Sequence, residues 1–426
     1  MTDETTDGAA LTEATAAAYI AAAAFRIGPV GRVGVELEYG VRDPAARTQR
    51  PSMDRVRAAT APLVDPLPGG GAISIEPGGQ IEISSAVGAD LDACVTSTAY
   101  DLALTARALA DDGLVLEGTG LDTSRKPRLV TDQPRYVALA AYHDRSGGKG
   151  RQVMCNSASV QVCLDAGDDS DGVHGYRARW QLADSLGPLF LAAFANSPHV
   201  TRHGVRWVSY RQALRFATDA GRTRAPKLRF PTDTGRLRRA TEPREAWAEY
   251  ALSARVVMIA GPEPWQVPVN LTMRDWLRGH GPREVTLEDL ERHLGTLVPP
   301  VRPRGYLEFR MIDQQPGDGW VVPAAVVSVL MDDPVAAATA LEATAPLRSR
   351  LRRHRDWVAS AREGLADPLL GAAALTCFEA AAEALARQGV SAPIQASVAG
   401  FIEEYVARGR CPADRTTREG DLLPVA

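Results

Sequence analysis

The stretch Gly34-Val35-Glu36-Leu37-Glu38-Tyr39 decides how the rest of this 426-residue chain is read. Residues two apart on a strand share a face, so Glu36 and Glu38 point one way while Val35 and Leu37 point the other, towards a core. Two carboxylates side by side on a half-buried strand repel unless something positive sits between them, and a hard divalent cation such as Mg²⁺ takes oxygen ligands of this kind. Standing alone, the pair reads equally as an edge strand with a solvated acidic face. Three later strands repeat the pattern, which favours a shared site.

The first repeat is Ile73-Ser74-Ile75-Glu76-Pro77-Gly78-Gly79-Gln80-Ile81-Glu82-Ile83. Apolar and polar residues alternate on both sides of Pro-Gly-Gly, the signature of a hairpin with a three-residue loop. Its register pairs Glu76 with Gln80 and Ser74 with Glu82, placing all four on one face. The second repeat runs from Asn156 to Asp165, with Ser157, Ser159, Gln161 and Cys163 on its polar side. The last is Tyr306-Leu307-Glu308-Phe309-Arg310-Met311-Ile312-Asp313, which sets a fifth carboxylate, Glu308, beside the guanidinium of Arg310.

Helical apolar spacing marks residues 90–110, 176–195, 244–259, 286–297 and 321–331, and the Ala- and Leu-rich remainder to about residue 408 is helical as well. The Ala-rich segment 9–25 reads as a surface helix. Residues 122–152, rich in Pro, Gly, Arg and Ser, read as a long loop or lid, and Val298-Pro299-Pro300-Val301-Arg302-Pro303-Arg304 as a stiff extended connector. Between Trp207 and Phe230 lie Arg211, Arg215, Arg222, Arg224 and Arg229, the richest supply of bidentate donors for carboxylates and phosphates in the chain.

Composition narrows the class. With 48 basic and 52 acidic residues the formal charge is −4, which supplies no basic field for nucleic acid. The acidic start reads as something other than a secretory signal, and no uninterrupted apolar run is long enough to span a membrane. The five cysteines lack metal-site spacing and read as reduced thiols of a cytoplasmic protein. Only three lysines are present, so phosphate chemistry here must lean on arginine or metal ions.

Gly34-Val35-Glu36-Leu37-Glu38, Ile75-Glu76-Pro77-Gly78-Gly79-Gln80-Ile81-Glu82-Ile83-Ser84, the strand through Gln161 and Cys163, and Tyr306-Leu307-Glu308-Phe309-Arg310 together resemble the sheet motifs of glutamate–cysteine ligases. The likeness is strongest to the actinobacterial branch that serves ergothioneine biosynthesis. It continues through Gln315-Pro316-Gly317-Asp318-Gly319-Trp320 and covers roughly residues 28 to 340. It implies an α+β fold with a glutamine-synthetase-like antiparallel sheet curved into a funnel and helices on its outer face. The implied chemistry uses ATP and Mg²⁺ to phosphorylate the γ-carboxylate of glutamate, which the amine of cysteine then attacks. By the same resemblance Glu36, Glu38, Glu76, Glu82 and Glu308 are metal ligands, Gln161 faces the nucleotide, and Arg310 neutralises the transferring phosphoryl group. Arg211, with Arg222 following at the family's spacing, is implied in binding substrate, as is Cys163.

Two positions depart from the family pattern: Leu214-Arg215-Phe216 stands where relatives carry an aromatic residue, often tryptophan, and Cys163 replaces an asparagine. The expected organisation is a tail and helix over 1–27, a catalytic domain over 28–340, and a helical region over 341–426 packed on that domain. A ligase using a different amine acceptor, and a carboxylate-rich Mg²⁺ hydrolase, fit the same acidic face.

Overall fold

The computed structural model describes residues 11–145, 147–226, 242–347 and 354–419, so Arg229 lies outside the described residues. At its centre is a seven-stranded antiparallel sheet built on β1 (Val33–Arg42). The other strands of that sheet are β2 (Ala72–Ile75), β3 (Ile81–Ser84), β4 (Val115–Glu117), β5 (Ser159–Asp165), β8 (Val301–Pro303) and β9 (Tyr306–Asp313). They run in the order β2-β3-β1-β5-β9-β8, and β4 pairs with the far end of β1. A separate two-stranded ribbon joins β6 (His199–Val200) to β7 (Arg206–Trp207).

The alternation in β1 does what period-two spacing dictates: Val33, Val35, Leu37, Tyr39 and Val41 are all buried, while the residues between them are half-buried. Beneath that apolar face run the helices Tyr176–Ala193 and Val321–Asp332, apolar nearly all round as fits helices enclosed on every side. Each large side chain fully enclosed there, such as Phe309 or Leu37, adds about 1.5–3 kcal/mol by leaving water. One continuous buried cluster extends from Ala16 to Val406. The helix Pro368–Arg387 is long and apolar enough to cross a membrane, yet half of it is buried in that cluster, with Cys377, Phe378, Ala381 and Leu385 packed inside.

The hairpin carrying Glu76 and Glu82 has the register its sequence predicts, Ser74 opposite Glu82, with Glu76 N–H donating to Gln80 O at 2.8 Å. Gly79 closes the loop at φ +86°. A Cβ on Gly78 would lie 2.1 Å from Cys155 O, so only glycine lets the loop lie against the chain entering β5.

Four expectations are corrected. Residues 122–152 are not a structureless lid: Pro134–Asp144 and Lys149–Asn156 are helices, the first started by a proline at its first helical position. The strand expected from Asn156 therefore begins only at Ser159. The Pro-rich connector holds a strand, β8, at the sheet edge, where proline's missing N–H costs no ladder bond. The N-terminal helix, Glu13–Ala24, is not merely superficial, since Ala16, Ile20 and Ala24 are buried where it packs on the helix Pro243–Ser253.

Candidate active site

The polar face of the sheet brings the predicted carboxylates together. Glu38 stands opposite Glu82 on β3, and Glu36 stands opposite Gln161 on β5. Ser159 Oγ donates to Glu38 Oε2 at 2.8 Å and Gln161 Nε2 donates to Glu38 Oε1 at 3.1 Å, so Glu38 is held in place. A shift of register between Val160 and Val162 lets β5 pair with β9 so that Cys163 faces Glu308. One ligand atom each from Glu36, Cys163 and Glu308 lies within 4.8 Å of the others.

These carboxylates lack compensating charge on one side. Burial, and then the neighbouring Glu38, push Glu76 up to about 7 and Glu82 up to about 8. Burial and Glu308 also raise Glu36. Carboxyls whose ionised forms are this disfavoured, offering oxygen donors only, fit a hard divalent cation. Glu36, Glu76 and Glu82, grouped beside Glu38 on one face, therefore suit Mg²⁺, which would favour the ionised forms of those three.

Glu308 differs from the other four. Arg302 grips both its oxygens, Nε to Oε2 at 2.5 Å and Nη2 to Oε1 at 2.8 Å, and Arg310 Nη1 lies 3.0 Å from Oε2. Burial works against the charge, but Arg310 and Arg302 outweigh it and hold Glu308 at about 2. Glu308 thus anchors two guanidiniums as well as standing within ligand distance of Glu36 and Cys163. Arg302 went unrecognised in the sequence because the strand that places it was hidden among prolines.

Arg310 donates to Gln161 Oε1 and keeps a buried Nε with no hydrogen bond. Arg211 is 1% exposed on the helix Tyr210–Phe216, donates to Arg310 O at 2.9 Å, and lies 3.5 Å from Asp313. Asp313 is fixed by Ser197 Oγ at 2.6 Å and Ser209 Oγ at 3.0 Å. Arg211 Nε and Nη1 nonetheless make no hydrogen bond. Buried guanidinium N–H groups without partners are costly, and an arriving anion satisfies them.

Arg211, Arg310, Glu38 and Glu76 line one cavity of about 600 Å³. Its opposite wall comes from the segment first read as a lid, with Arg135, Tyr136 and His143 on the helix Pro134–Asp144. His143 is driven down to about 4 by burial and then by Arg222, so its ring is neutral near pH 7. Arg222 also lines the cavity, but it is committed to Arg255 O and Thr296 Oγ1, away from the carboxylates. Cys163 stands with Glu36 and Glu308 on the sheet, outside the cavity-lining set. Tyr136 and His143 lie in the segment read as a loop or lid, but without its helix they, and Arg135, could not be placed on the cavity wall.

Comparison with known proteins follows the same line. The chain is 37% identical to the Mycolicibacterium smegmatis glutamate–cysteine ligase EgtA over 421 residues, covering 96% of this chain and 95% of that protein. It is 36% identical to the Mycobacterium tuberculosis glutamate–cysteine ligase EgtA, covering 96% of this chain and 90% of the relative. Among solved structures, the Francisella tularensis glutamate–cysteine ligase in complex with AMP aligns over 93% of this chain and 86% of that one, at a TM-score of 0.47 and 11% identity. The profile of glutamate-cysteine ligase family 2 (GCS2) matches residues 32–421, and the chain belongs to that family.

Proposed function

We infer that this chain is an ATP-dependent ligase joining the γ-carboxyl of L-glutamate to the amine of L-cysteine through a γ-glutamyl phosphate. By the resemblance of its sheet motifs, the γ-glutamylcysteine formed would feed ergothioneine biosynthesis. The observation that carries the reading is the pairing, in one cavity, of Glu38 and Glu76 from the carboxylate face with two guanidiniums, Arg211 and Arg310, that have unspent donors. Phosphoryl transfer between two anions needs that combination.

Glu36, Glu38, Glu76 and Glu82 would hold Mg²⁺, which supplies charge neutralisation on the triphosphate of ATP. Gln161 fixes Glu38 and Arg310 relative to one another. An oxygen of the glutamate γ-carboxylate forms the bond to the γ-phosphorus of ATP as the bond to ADP breaks, and Arg310 Nε is free to meet the charge building on the phosphoryl oxygens. Arg211 is free to hold the α-carboxylate of glutamate. The amine nitrogen then bonds to the acyl carbon, phosphate leaves with the C–O bond electrons, and the amine loses one proton. Glu308 acts through Arg302 and Arg310 as a positioning residue.

Hydroxylamine tests the intermediate, since it is a small nucleophile that needs no acceptor pocket. Enzyme with ATP, Mg²⁺, glutamate and hydroxylamine is expected to form γ-glutamyl hydroxamate with one ADP per product. ADP formation that does not depend on glutamate would support a hydrolase and contradict this reading.

A further inference from the structure

Arg215 is a buried guanidinium that the account above does not use. It lies one turn beyond Arg211 on the helix Tyr210–Phe216, so both face the cavity from the same side. Only 8% of it is exposed, and its single hydrogen bond runs from Nη2 to Val298 O at 2.9 Å. No carboxylate pairs with it among the described residues. The other cavity arginines are engaged differently: Arg222 on Arg255 O and Thr296, Arg292 on Glu288 and Asp289, and Arg135 over the ring of Tyr136. Setting a third buried cation beside Arg211 and Arg310 is unfavourable unless an anion arrives between them. Arg215 also lies within Leu214-Arg215-Phe216, the stretch that departs from the family pattern.

Joining two amino acids brings three anionic groups to one cavity: the transferring phosphoryl group, the α-carboxylate of the donor, and the α-carboxylate of the acceptor. Three buried guanidiniums line it: Arg211 and Arg310 keep buried N–H groups without a partner, and Arg215 spends one donor on Val298 O. Arg310, tied into the carboxylate sheet through Glu308 and Gln161, suits the phosphoryl group. Arg211, nearly inaccessible and braced by Asp313, suits the donor, which must be seated before the acyl phosphate forms. Arg215, more accessible and on the same wall, meets the molecule that arrives second. We propose that Arg215 binds the α-carboxylate of the amine acceptor and makes the enzyme selective for α-amino acids over simple amines. The assignment rests on the ligase reading given above.

The test compares L-cysteine with cysteamine, which is cysteine without its carboxylate, at saturating ATP, Mg²⁺ and glutamate, in wild type, Arg215→Met and Arg215→Lys. Loss of a buried charge-assisted contact predicts that wild type favours cysteine by about 100-fold in kcat/KM. In Arg215→Met that preference should fall below about 10-fold, through a higher KM for cysteine, with the KM values for glutamate and ATP within about 3-fold of wild type. Arg215→Lys should keep part of the preference, because it retains the charge without the planar fork. Thermal unfolding checks that the variants are folded; were the methionine variant unfolded, the lysine variant and the wild-type ratio would decide. Wild type using cysteamine as readily as cysteine overturns the proposal, as does an undiminished preference in the variants. A raised glutamate KM with an unchanged acceptor KM also overturns it by moving Arg215 to the donor. Absence of any amine-stimulated, glutamate-dependent ADP release in wild type contradicts the ligase reading itself, a result separable from the others.

Discussion

Mg²⁺ binding should depend steeply on pH, and the size of the effect follows from two side chains. In the metal-free protein Glu76 titrates at about 7 and Glu82 at about 8, against ordinary values near 4.5. Because these folded values are raised, the folded chain holds more protons than the unfolded chain between about pH 4.5 and 8. Metal-free stability therefore falls as pH rises through that window. A cation that needs both carboxylates ionised must first expel their protons. At pH 6.5 Glu82 is almost wholly protonated and Glu76 about three-quarters so; at pH 8.5 both are largely ionised. Treated as independent sites, they give an apparent Mg²⁺ affinity about 100-fold tighter at pH 8.5 than at pH 6.5, worth about 2.7 kcal/mol. Calorimetric titration of Mg²⁺ in buffers of different ionisation enthalpy reads both quantities, and at pH 6.5 nearly two protons should be released per ion bound. Glu82→Gln should remove most of the pH dependence along with much of the affinity. An affinity that changes less than about 3-fold between the two pH values, with no proton release, would refute the placement of the cation on Glu76 and Glu82.

Other perturbations separate the guanidiniums from their anchor. Arg310→Lys keeps the charge but loses the planar group whose Nη1 meets Gln161 and Glu308 while Nε stays free for the phosphoryl oxygens, so steady-state kinetics should show kcat falling by more than the glutamate KM rises. Glu308→Ala leaves Arg302 and Arg310 buried beside each other without their counter-ion, and urea unfolding should show a loss of about 3–5 kcal/mol. Glu38→Gln should leave the thermal unfolding transition within a few degrees of wild type while abolishing ATP turnover, because its bonds from Ser159 and Gln161 survive but a metal-ligand charge does not.

The parts of this site that could be read from the sequence are those fixed by period-two alternation. β1, the hairpin around Gly78 and Gly79, and β9 follow from that pattern, and with them the common face of Glu36, Glu38, Glu76 and Glu82. Two kinds of information were hidden. Prolines 299, 300 and 303 disguised β8, because an edge strand tolerates residues that would end a central one. With β8 unseen, the pairing of Arg302 with Glu308 was out of reach. The helices Pro134–Asp144 and Lys149–Asn156 are short, and glycines and arginines dilute their apolar periodicity, so tertiary packing around the cavity decides their conformation. Arg215 was visible as one arginine in a run of five. What sets it apart is burial with a single hydrogen bond and, among the described residues, no carboxylate partner, which no sequence pattern expresses.

The central claim is that this cavity activates glutamate with ATP and passes it to cysteine. The most direct measurement is ADP release by the purified chain with ATP, Mg²⁺ and glutamate, with and without L-cysteine, followed by the mass of the product. The account predicts slow release without an acceptor, a large stimulation by cysteine above other small amino acids, and a product of the mass of γ-glutamylcysteine formed one-to-one with ADP. Glutamate-dependent turnover that cysteine fails to stimulate while another amine does would contradict the cysteine assignment, and ADP release indifferent to glutamate would contradict the account as a whole.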